Sequence, residues 1–124
     1  MPACSADIEM ADLPRPDFLE LPVADVAAAQ AFYGAAFGWE MTGFGPTYAC
    51  TLTGDVDVGL QADPAERTRA PLIVIQVDNL ENALGAVLAA GGAISKPIFS
   101  FPGGRRFHFR DLDGNELAAH KPEE

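Results

Sequence analysis

The sequence predicts an α+β fold in which one β-α-β-β-β module occurs twice. Two observations support this prediction. A short apolar strand at 18–23 precedes a helical pattern that starts after Asp25 and stops at Gly38, and the same order recurs with 54 added to each residue number, from Leu72 to Gly92. Three strand-like segments follow each helix. A repeat at a fixed interval sets the whole architecture, because each copy forms the same supersecondary unit.

Both helices are predicted from apolar residues at helical spacing and from the residues at their ends. Asp25 and Asn79 stand where a side-chain oxygen accepts hydrogen bonds from the amides of the first turn. Gly38 and the pair Gly91-Gly92 follow the last periodic residues and allow a left-handed helix end. The apolar positions are Val26, Ala29, Phe32, Tyr33, Ala36 and Phe37 in the first helix, and Leu80, Ala83, Leu84, Val87 and Leu88 in the second.

Segments rich in β-branched and aromatic residues, separated by glycine or proline turns, predict the strands. They lie at 39–44, 47–53 and 56–62 after the first helix, and at 93–98, 105–111 and 115–120 after the second, whose own first strand is 72–77. The chain is accordingly interpreted as one domain with four segments. These are an N-terminal tail (1–17), a first βαβββ module (18–62), a polar connector (63–70) and a second βαβββ module (71–121).

The composition argues against several classes of partner. The 124-residue chain has 18 acidic residues against 8 Lys and Arg, a formal charge of −10, which disfavours nucleic acid and anionic membrane surfaces. No apolar run approaches the ~20 residues of a membrane span, and no signal-peptide pattern is present. The two cysteines, Cys4 and Cys50, do not make a disulfide framework. We therefore expect a cytoplasmic protein with no nucleic-acid or membrane partner.

The opening strand-Asp-helix segment with AFYGAAFGW, the βαβββ repeat and the closing FRDLDGNEL resemble the vicinal oxygen chelate superfamily. This superfamily includes glyoxalase I, bleomycin-resistance proteins, fosfomycin-resistance enzymes and extradiol dioxygenases. The resemblance covers residues 18–121 and is greatest to small glyoxalase-related members. It implies a curved eight-stranded sheet around a cavity, with modules paired within one chain or between two, and a homodimer. A dimeric ferredoxin-like domain is the alternative fold, but it does not explain three consecutive strands after each helix.

The resemblance also implies where a divalent metal would be held in catalytic members, by His, Glu or Gln of the first and fourth strands of each module. The corresponding positions here are Phe18, a position near Gly59, Leu72 and Ala118. None of these side chains donates a lone pair, whereas zinc, iron or nickel needs several N, O or S ligands. We therefore predict no metal and no other cofactor.

Strand alternation predicts which side chains face the cavity. Phe18, Leu72 and Ala118 would form its apolar floor, with the aromatic rings of Trp39 and Tyr48 at its wall. The predicted polar cavity residues are Glu20, Gln61, Gln76, Arg106, His108, Arg110, Glu116 and His120.

Several of these residues also have a purely structural interpretation. Glu20 is either a general base or ligand anchor, or a carboxylate paired with a basic residue of the seventh strand, because a buried carboxylate is unfavourable alone. Arg106 and Arg110 either clamp an anionic ligand or offset nearby acids. Trp39 and Tyr48 either line the pocket or pack in the core.

These features favour a metal-free small-molecule binding protein of the glyoxalase/bleomycin-resistance type, sequestering an antibiotic or a metabolite. An alternative is a metal-independent isomerase, lyase or cyclase in which Glu20 and His108 form an acid/base pair. A metal-dependent lyase or dioxygenase is a third possibility, and it requires ligands from other positions.

Overall fold

A computed structural model describes residues 13–123 of the chain. Within this range there are eight strands and two helices. In chain order they are β1 (Arg15–Pro22), α1 (Val26–Phe37), β2 (Thr42–Gly43), β3 (Tyr48–Cys50), β4 (Asp57–Gln61), β5 (Leu72–Gln76), α2 (Leu80–Ala89), β6 (Ala93–Phe101), β7 (Gly104–Arg110) and β8 (Glu116–Pro122). Parallel and antiparallel strand pairs both occur. The predicted α+β class and the double β-α-β-β-β order are therefore confirmed.

The bounds of several elements differ from the prediction. Residues 1–12 of the predicted tail, including Cys4, lie outside the described residues, and residues 15–17 of that tail open β1. The strands β2 and β3 have only two and three residues. After Cys50 the Thr51 amide still donates to the Val58 carbonyl at 3.0 Å. The Asp57 carboxylate then accepts from the Thr51 hydroxyl and the Thr53 amide, each at 2.7 Å, and closes a turn.

Contacts divide the chain into two compact units, which we describe separately. The first unit is Asp17–Ile73, and the second unit comprises residues 74–123 together with 13–16. In the first unit the strand order is β2-β3-β4-β1, with β1 parallel to β4 and β3 antiparallel to it. In the second unit the order is β5-β8-β7-β6, with β7 antiparallel to both β8 and β6.

Helix α1 has the predicted ends but not a buried apolar face. The Asp25 carboxylate accepts from the Ala28 amide at 3.1 Å, and Gly38 ends the helix with φ of 72°. Of the six predicted apolar positions only Val26 is buried, and the Phe37 side chain is 66 % exposed. The aromatic rings at the end of α1 contact one another instead, with 5.0 Å between the Tyr33 and Trp39 centroids. The first unit therefore leaves an aromatic helix surface uncovered.

Helix α2, in contrast, packs onto its sheet. Asn79 caps it by accepting from the Asn82 amide at 2.9 Å. Leu80 at its start and Phe107 on β7 are fully buried. The core around them is completed by Val77 and Ala119, with partly buried neighbours Ile75, Ala83, Leu84, Val87, Ile94, Ile98 and Phe109. This core holds one face of the β7–β8 ladder against α2 and turns the other face away from the helix.

Neither of the described helices is long and apolar enough to cross a membrane.

Candidate functional site

The sheet of the second unit has a face that points away from α2 and carries polar and charged residues. Phe107 on β7 packs in the core, so strand alternation turns its neighbours Arg106 and His108 to the opposite face. The pairing register places Lys96 of β6 opposite His108, and Phe99 opposite Arg106. On β8, His108 pairs with Ala118, Arg106 with His120 and Arg110 with Glu116. We call this surface, with Lys96, Phe99, Arg106, His108, Glu116 and His120, the His108 face.

His108 is the most constrained polar group on the His108 face. Its side chain is fully buried, and Nδ1 lies 3.0 Å from a carboxylate oxygen of Glu116. Burial lowers the pKa of His108, with smaller contributions from the charges of Arg106 and Lys96, and the hydrogen bond to Glu116 offsets this only in part. The imidazole is therefore neutral at pH 7, with Nδ1–H donating to the carboxylate and Nε2 carrying a lone pair.

The Nε2 atom of His108 is buried and has no hydrogen-bond partner. A buried acceptor without a partner lowers stability by about 1–3 kcal/mol. Structures tolerate such groups rarely, and a functional role is one of the reasons for which they persist. His108 thus presents a desolvated base that is fixed in one tautomer by its other nitrogen.

Glu116 orients the imidazole and is itself held in place. Its carboxylate also accepts from the Ser95 hydroxyl at 3.2 Å and lies 3.7 Å from the Arg110 guanidinium. Burial acts to raise the pKa of Glu116, but the hydrogen bonds from His108 and Ser95 outweigh burial, and the pKa lies below its ordinary value. The carboxylate is consequently ionised at neutral pH and can accept the hydrogen bond from Nδ1–H of His108.

Two cations and the Phe99 ring lie beside His108, and a second ring, Phe101, lies beside Arg106. The Arg106 guanidinium carbon is 5.4 Å from the centroid of the Phe99 ring and 5.5 Å from that of Phe101. The Lys96 ammonium lies 5.9 Å from the Phe99 centroid. Phe99 in turn lies 5.9 Å from the His108 ring. Strand β6 shows register shifts on both sides of Lys96, and such irregularities are common next to functional sites because they re-aim side chains.

The first unit has a separate carboxylate on its own sheet. Glu20 is 3 % exposed, and the Tyr48 hydroxyl donates to it at 3.1 Å. Gly59 lies on β4, between β1, which carries Glu20, and β3, which carries Tyr48. A side chain at Gly59 would collide with the Tyr48 hydroxyl and would approach the Phe18 ring to 2.7 Å. Phe18, Glu20 and Tyr48 therefore share one face of the first unit, which Gly59 allows to pack closely.

The remaining predicted residues are placed as follows. Trp39 lines a depression of about 610 Å³ together with Thr51 and Val58. Strand alternation places Thr51 and Val58 on the face of the sheet opposite that of Tyr48, so Trp39 and Tyr48 do not line the same surface. Gln61 accepts from the Asp63 amide at 3.0 Å, and Arg110 donates to the Gly114 carbonyl at 3.1 Å. Gln76 and His120 are half-buried, on β5 and β8. Leu72 and Ala118 are fully buried.

The residues at the family's metal positions do not fit a metal. Phe18, Gly59, Leu72 and Ala118 offer no side-chain donor atom, and the space beside Gly59 is filled by Tyr48. Among residues 13–123 no three His, Cys, Asp or Glu side chains gather closely enough to hold a metal ion. The site chemistry has to be sought in His108 and its neighbours.

The sequence indicated His108, Arg106 and Glu116 but not the two β6 residues beside them. The positions of Lys96 and Phe99 beside His108 and Arg106 depend on the register in which β6 pairs with β7. That register, with its shifts, cannot be predicted from the residues of β6 alone. The side-chain contact between His108 and Glu116 could have been predicted, since the two residues lie on neighbouring antiparallel strands joined by one short turn.

Comparison with protein families identifies the class. The model of the Glyoxalase/Bleomycin resistance protein/Dioxygenase superfamily matches residues 15–119. The chain therefore belongs to this superfamily, and the resemblance inferred from the sequence is confirmed. A comparison of the sequence with curated proteins finds no match.

Solved structures agree with this assignment at the level of the fold. The chain is similar to methylmalonyl-CoA epimerase from Mycobacterium tuberculosis, with a TM-score of 0.72 and 14 % identity over 97 % of this chain and 95 % of that one. It is similar to a superfamily member from Vibrio splendidus 12B01, with a TM-score of 0.65 and 18 % identity over 86 % and 97 %. For the Mn(II)-bound glyoxalase from Novosphingobium aromaticivorans the values are 0.60 and 21 %, over 88 % and 40 %.

Proposed function

We propose that the protein is a metal-free, cytoplasmic small-molecule binding protein of the glyoxalase/bleomycin-resistance type. The observation that carries this proposal is the His108 face, where a buried imidazole with an unsatisfied acceptor lies beside aromatic rings and cations. A few convergent polar groups on an apolar background are typical of small-molecule sites. A ligand that donates to Nε2 would remove the energetic penalty of the unsatisfied atom.

The test combines metal analysis with a ligand screen. Elemental mass spectrometry of the untagged protein, purified without chelators, is expected to find less than one metal ion per ten chains. Titration with zinc, nickel and iron is expected to leave the thermal midpoint unchanged. A library of anionic, aromatic and neutral compounds is then screened by thermal shift, with hits measured by calorimetry. Stoichiometric metal, or a screen without any calorimetric binding, would refute the proposal.

A second candidate is a metal-independent isomerase, lyase or cyclase that uses His108 and Glu20. The observation that favours it is the 3.0 Å contact of His108 Nδ1 with Glu116, because a carboxylate that holds one imidazole nitrogen leaves the other ready to accept a proton. Glu20 is buried and accepts a hydrogen bond from the Tyr48 hydroxyl at 3.1 Å. Turnover that survives unchanged in both Glu20→Gln and His108→Gln would exclude this pair.

We also propose that the protein is a homodimer. The first unit leaves an aromatic helix surface uncovered, with Phe32 and Phe37 exposed, and large exposed apolar patches mark interaction sites. Sedimentation equilibrium is expected to find a dimer that Phe37→Ser weakens. Leu112→Ser, at an even more exposed apolar residue on a turn of the second unit, serves as the control and should leave the dimer intact.

A further inference from the structure

The cations of this acidic chain are concentrated on three strands. The net charge is −10, yet five of the eight Lys and Arg residues belong to β6, β7 and β8. They are Lys96, Arg105, Arg106, Arg110 and Lys121. Arg105 points to the α2 side, where it pairs with Glu81 at 2.9 Å. Lys96 and Arg106 lie on the other side, close enough for both charges to act on His108. The His108 face therefore carries two cations beside one carboxylate, Glu116, in a chain whose net charge is strongly negative.

The unsatisfied atom on this face requires a particular kind of ligand group. The Nδ1 proton is committed to Glu116, so Nε2 can only accept a hydrogen bond. A carboxylate or phosphate oxygen cannot satisfy it, since that oxygen is itself an acceptor. A hydroxyl can, and Lys96 and Arg106 would bind a negative group attached next to that hydroxyl. The Phe99 and Phe101 rings would contact an apolar body.

We propose that the His108 face binds a 2-hydroxycarboxylate with an aromatic or apolar side chain, whose hydroxyl donates to His108 Nε2 and whose carboxylate lies between Lys96 and Arg106. This inference rests on the proposed binding function and assigns its ligand class. It uses the two chemically different features of the face together, the buried acceptor and the flanking cations. A neutral alcohol or a plain carboxylate would satisfy only one of them.

Entry of such a ligand requires a side chain to move, because Nε2 is buried. The neighbouring residues on β6 are Lys96, which pairs opposite His108, and Phe99. β6 is the last strand in the sheet order, and its register shifts on both sides of Lys96. Pro97 has no amide proton to donate to the ladder. Segment 96–99 is thus the least regularly paired wall of the site, and its movement would open the site.

The test uses 3-phenyllactate and three analogues, each lacking one feature. 3-Phenylpropanoate lacks the hydroxyl, 3-phenyllactamide lacks the charge and lactate lacks the ring. Calorimetry of the full chain at pH 7 should give the tightest binding for 3-phenyllactate, with each analogue weaker by about tenfold or more. Equal affinity for phenyllactate and phenylpropanoate, or for acid and amide, would overturn the assignment.

Variants of two basic positions on opposite faces of the sheet add a matched control. Lys96→Gln should weaken phenyllactate by about tenfold while leaving the amide unchanged, because the lost charge serves only the carboxylate. Arg105→Gln removes a charge on the α2 side and should leave both affinities unchanged. A Lys96→Gln variant that binds phenyllactate as well as the parent chain contradicts the proposed geometry.

The outcome also separates this inference from the binding function on which it rests. If compounds of another class bind with measurable enthalpy and the phenyllactate series does not, the protein is a binding protein and the ligand class is wrong. If neither the series nor the library binds, both proposals fail.

Discussion

The two units share one order of elements but differ in how their helices are packed. In the second unit α2 covers a sheet whose strands β6 and β7 have nine and seven residues. Leu80 of α2 and Phe107 of β7 are fully buried in the core between the helix and the sheet. In the first unit β2 and β3 have only two and three residues, and the aromatic residues of α1 remain exposed. Similar caps and turns therefore accompany different packing: α2 packs on its sheet, whereas most apolar side chains of α1 remain exposed.

The proposed functions differ between the units in the same way. The well-packed second unit holds a buried imidazole in one tautomer, which requires rigid surroundings. The first unit provides an exposed aromatic surface, which is suited to contact with another chain.

Phe107→Ala should destabilise the chain far more than Phe37→Ala. Removal of a fully buried phenylalanine lowers the free energy of unfolding by about 3–5 kcal/mol. Phe37 is largely exposed, so its loss should change stability by only ~0.5 kcal/mol in the monomer. Urea unfolding at low protein concentration measures both. Similar losses for the two variants would mean that α1 is packed as tightly as α2.

Gly59→Ala should disrupt the face of the first unit that carries Glu20. The added methyl group would collide with the Tyr48 hydroxyl, so we expect a loss of about 1–3 kcal/mol from overpacking and weakening of the Tyr48–Glu20 hydrogen bond. Gly43→Ala is the control, because nothing lies within 4 Å of a methyl group there. Urea unfolding and tyrosine absorbance report the two effects. Equal stability of the two variants would show that Tyr48 yields freely.

Stability should fall with acidity below neutral pH because of His108. Its pKa is lower in the folded chain than in the unfolded one, so the unfolded state binds more protons once the pH falls below about 6.5. The groups that face it are Glu116, Arg106 and Lys96. The free energy of unfolding, measured by urea between pH 7.5 and 5.5, should decrease less in His108→Gln than in the parent chain.

The control for this pH series is His120→Gln, which removes the other histidine of the chain. It should retain the slope of the parent chain if His108 is responsible. The carboxylate of Glu116 contributes in a separate, more acidic window, since its lowered pKa adds stability that is lost only below about pH 4.5. If the pH dependence of the free energy of unfolding were lost in His120→Gln but kept in His108→Gln, His108 would not be its cause.

The helix caps should have the smallest effect, and they compare the units directly. Asp25→Ala and Asn79→Ala each remove one hydrogen bond to an amide of the first turn, worth about 1 kcal/mol. Because α1 packs little, we expect Asp25→Ala to fray α1 locally with a smaller loss of global stability than Asn79→Ala. Hydrogen exchange of the two helices, alongside urea unfolding, tests this. Equal global losses would argue against the difference in packing.

Much of the fold could be predicted from the sequence because its signals are local. Asp25, Gly38 and Asn79 act on the turn in which they stand. Apolar spacing in α2 predicted its packed face except for Leu88, which is 51 % exposed. The same spacing in α1 indicated an apolar face but could not show that it would remain exposed. That outcome depends on what packs against the helix, which the spacing of residues within the helix does not encode.

The candidate site could be predicted only in part. Alternation in β7 correctly separated Phe107 from Arg106 and His108, because period two is a property of any strand. The contribution of Lys96 and Phe99 depends on the irregular register of β6, which is a property of two strands together. The roles assigned to Glu20 and His108 remain predictions.

The protonation state of His108 in solution can be measured by NMR spectroscopy. Long-range ¹H–¹⁵N correlation spectra of the imidazoles at pH 7, assigned with His120→Gln, distinguish the imidazolium and both neutral tautomers. We expect His108 to be neutral with its proton on Nδ1, and its Nε2 resonance to shift when 3-phenyllactate is added. An imidazolium, or a proton on Nε2, would contradict the central claim that His108 offers a buried acceptor to a ligand.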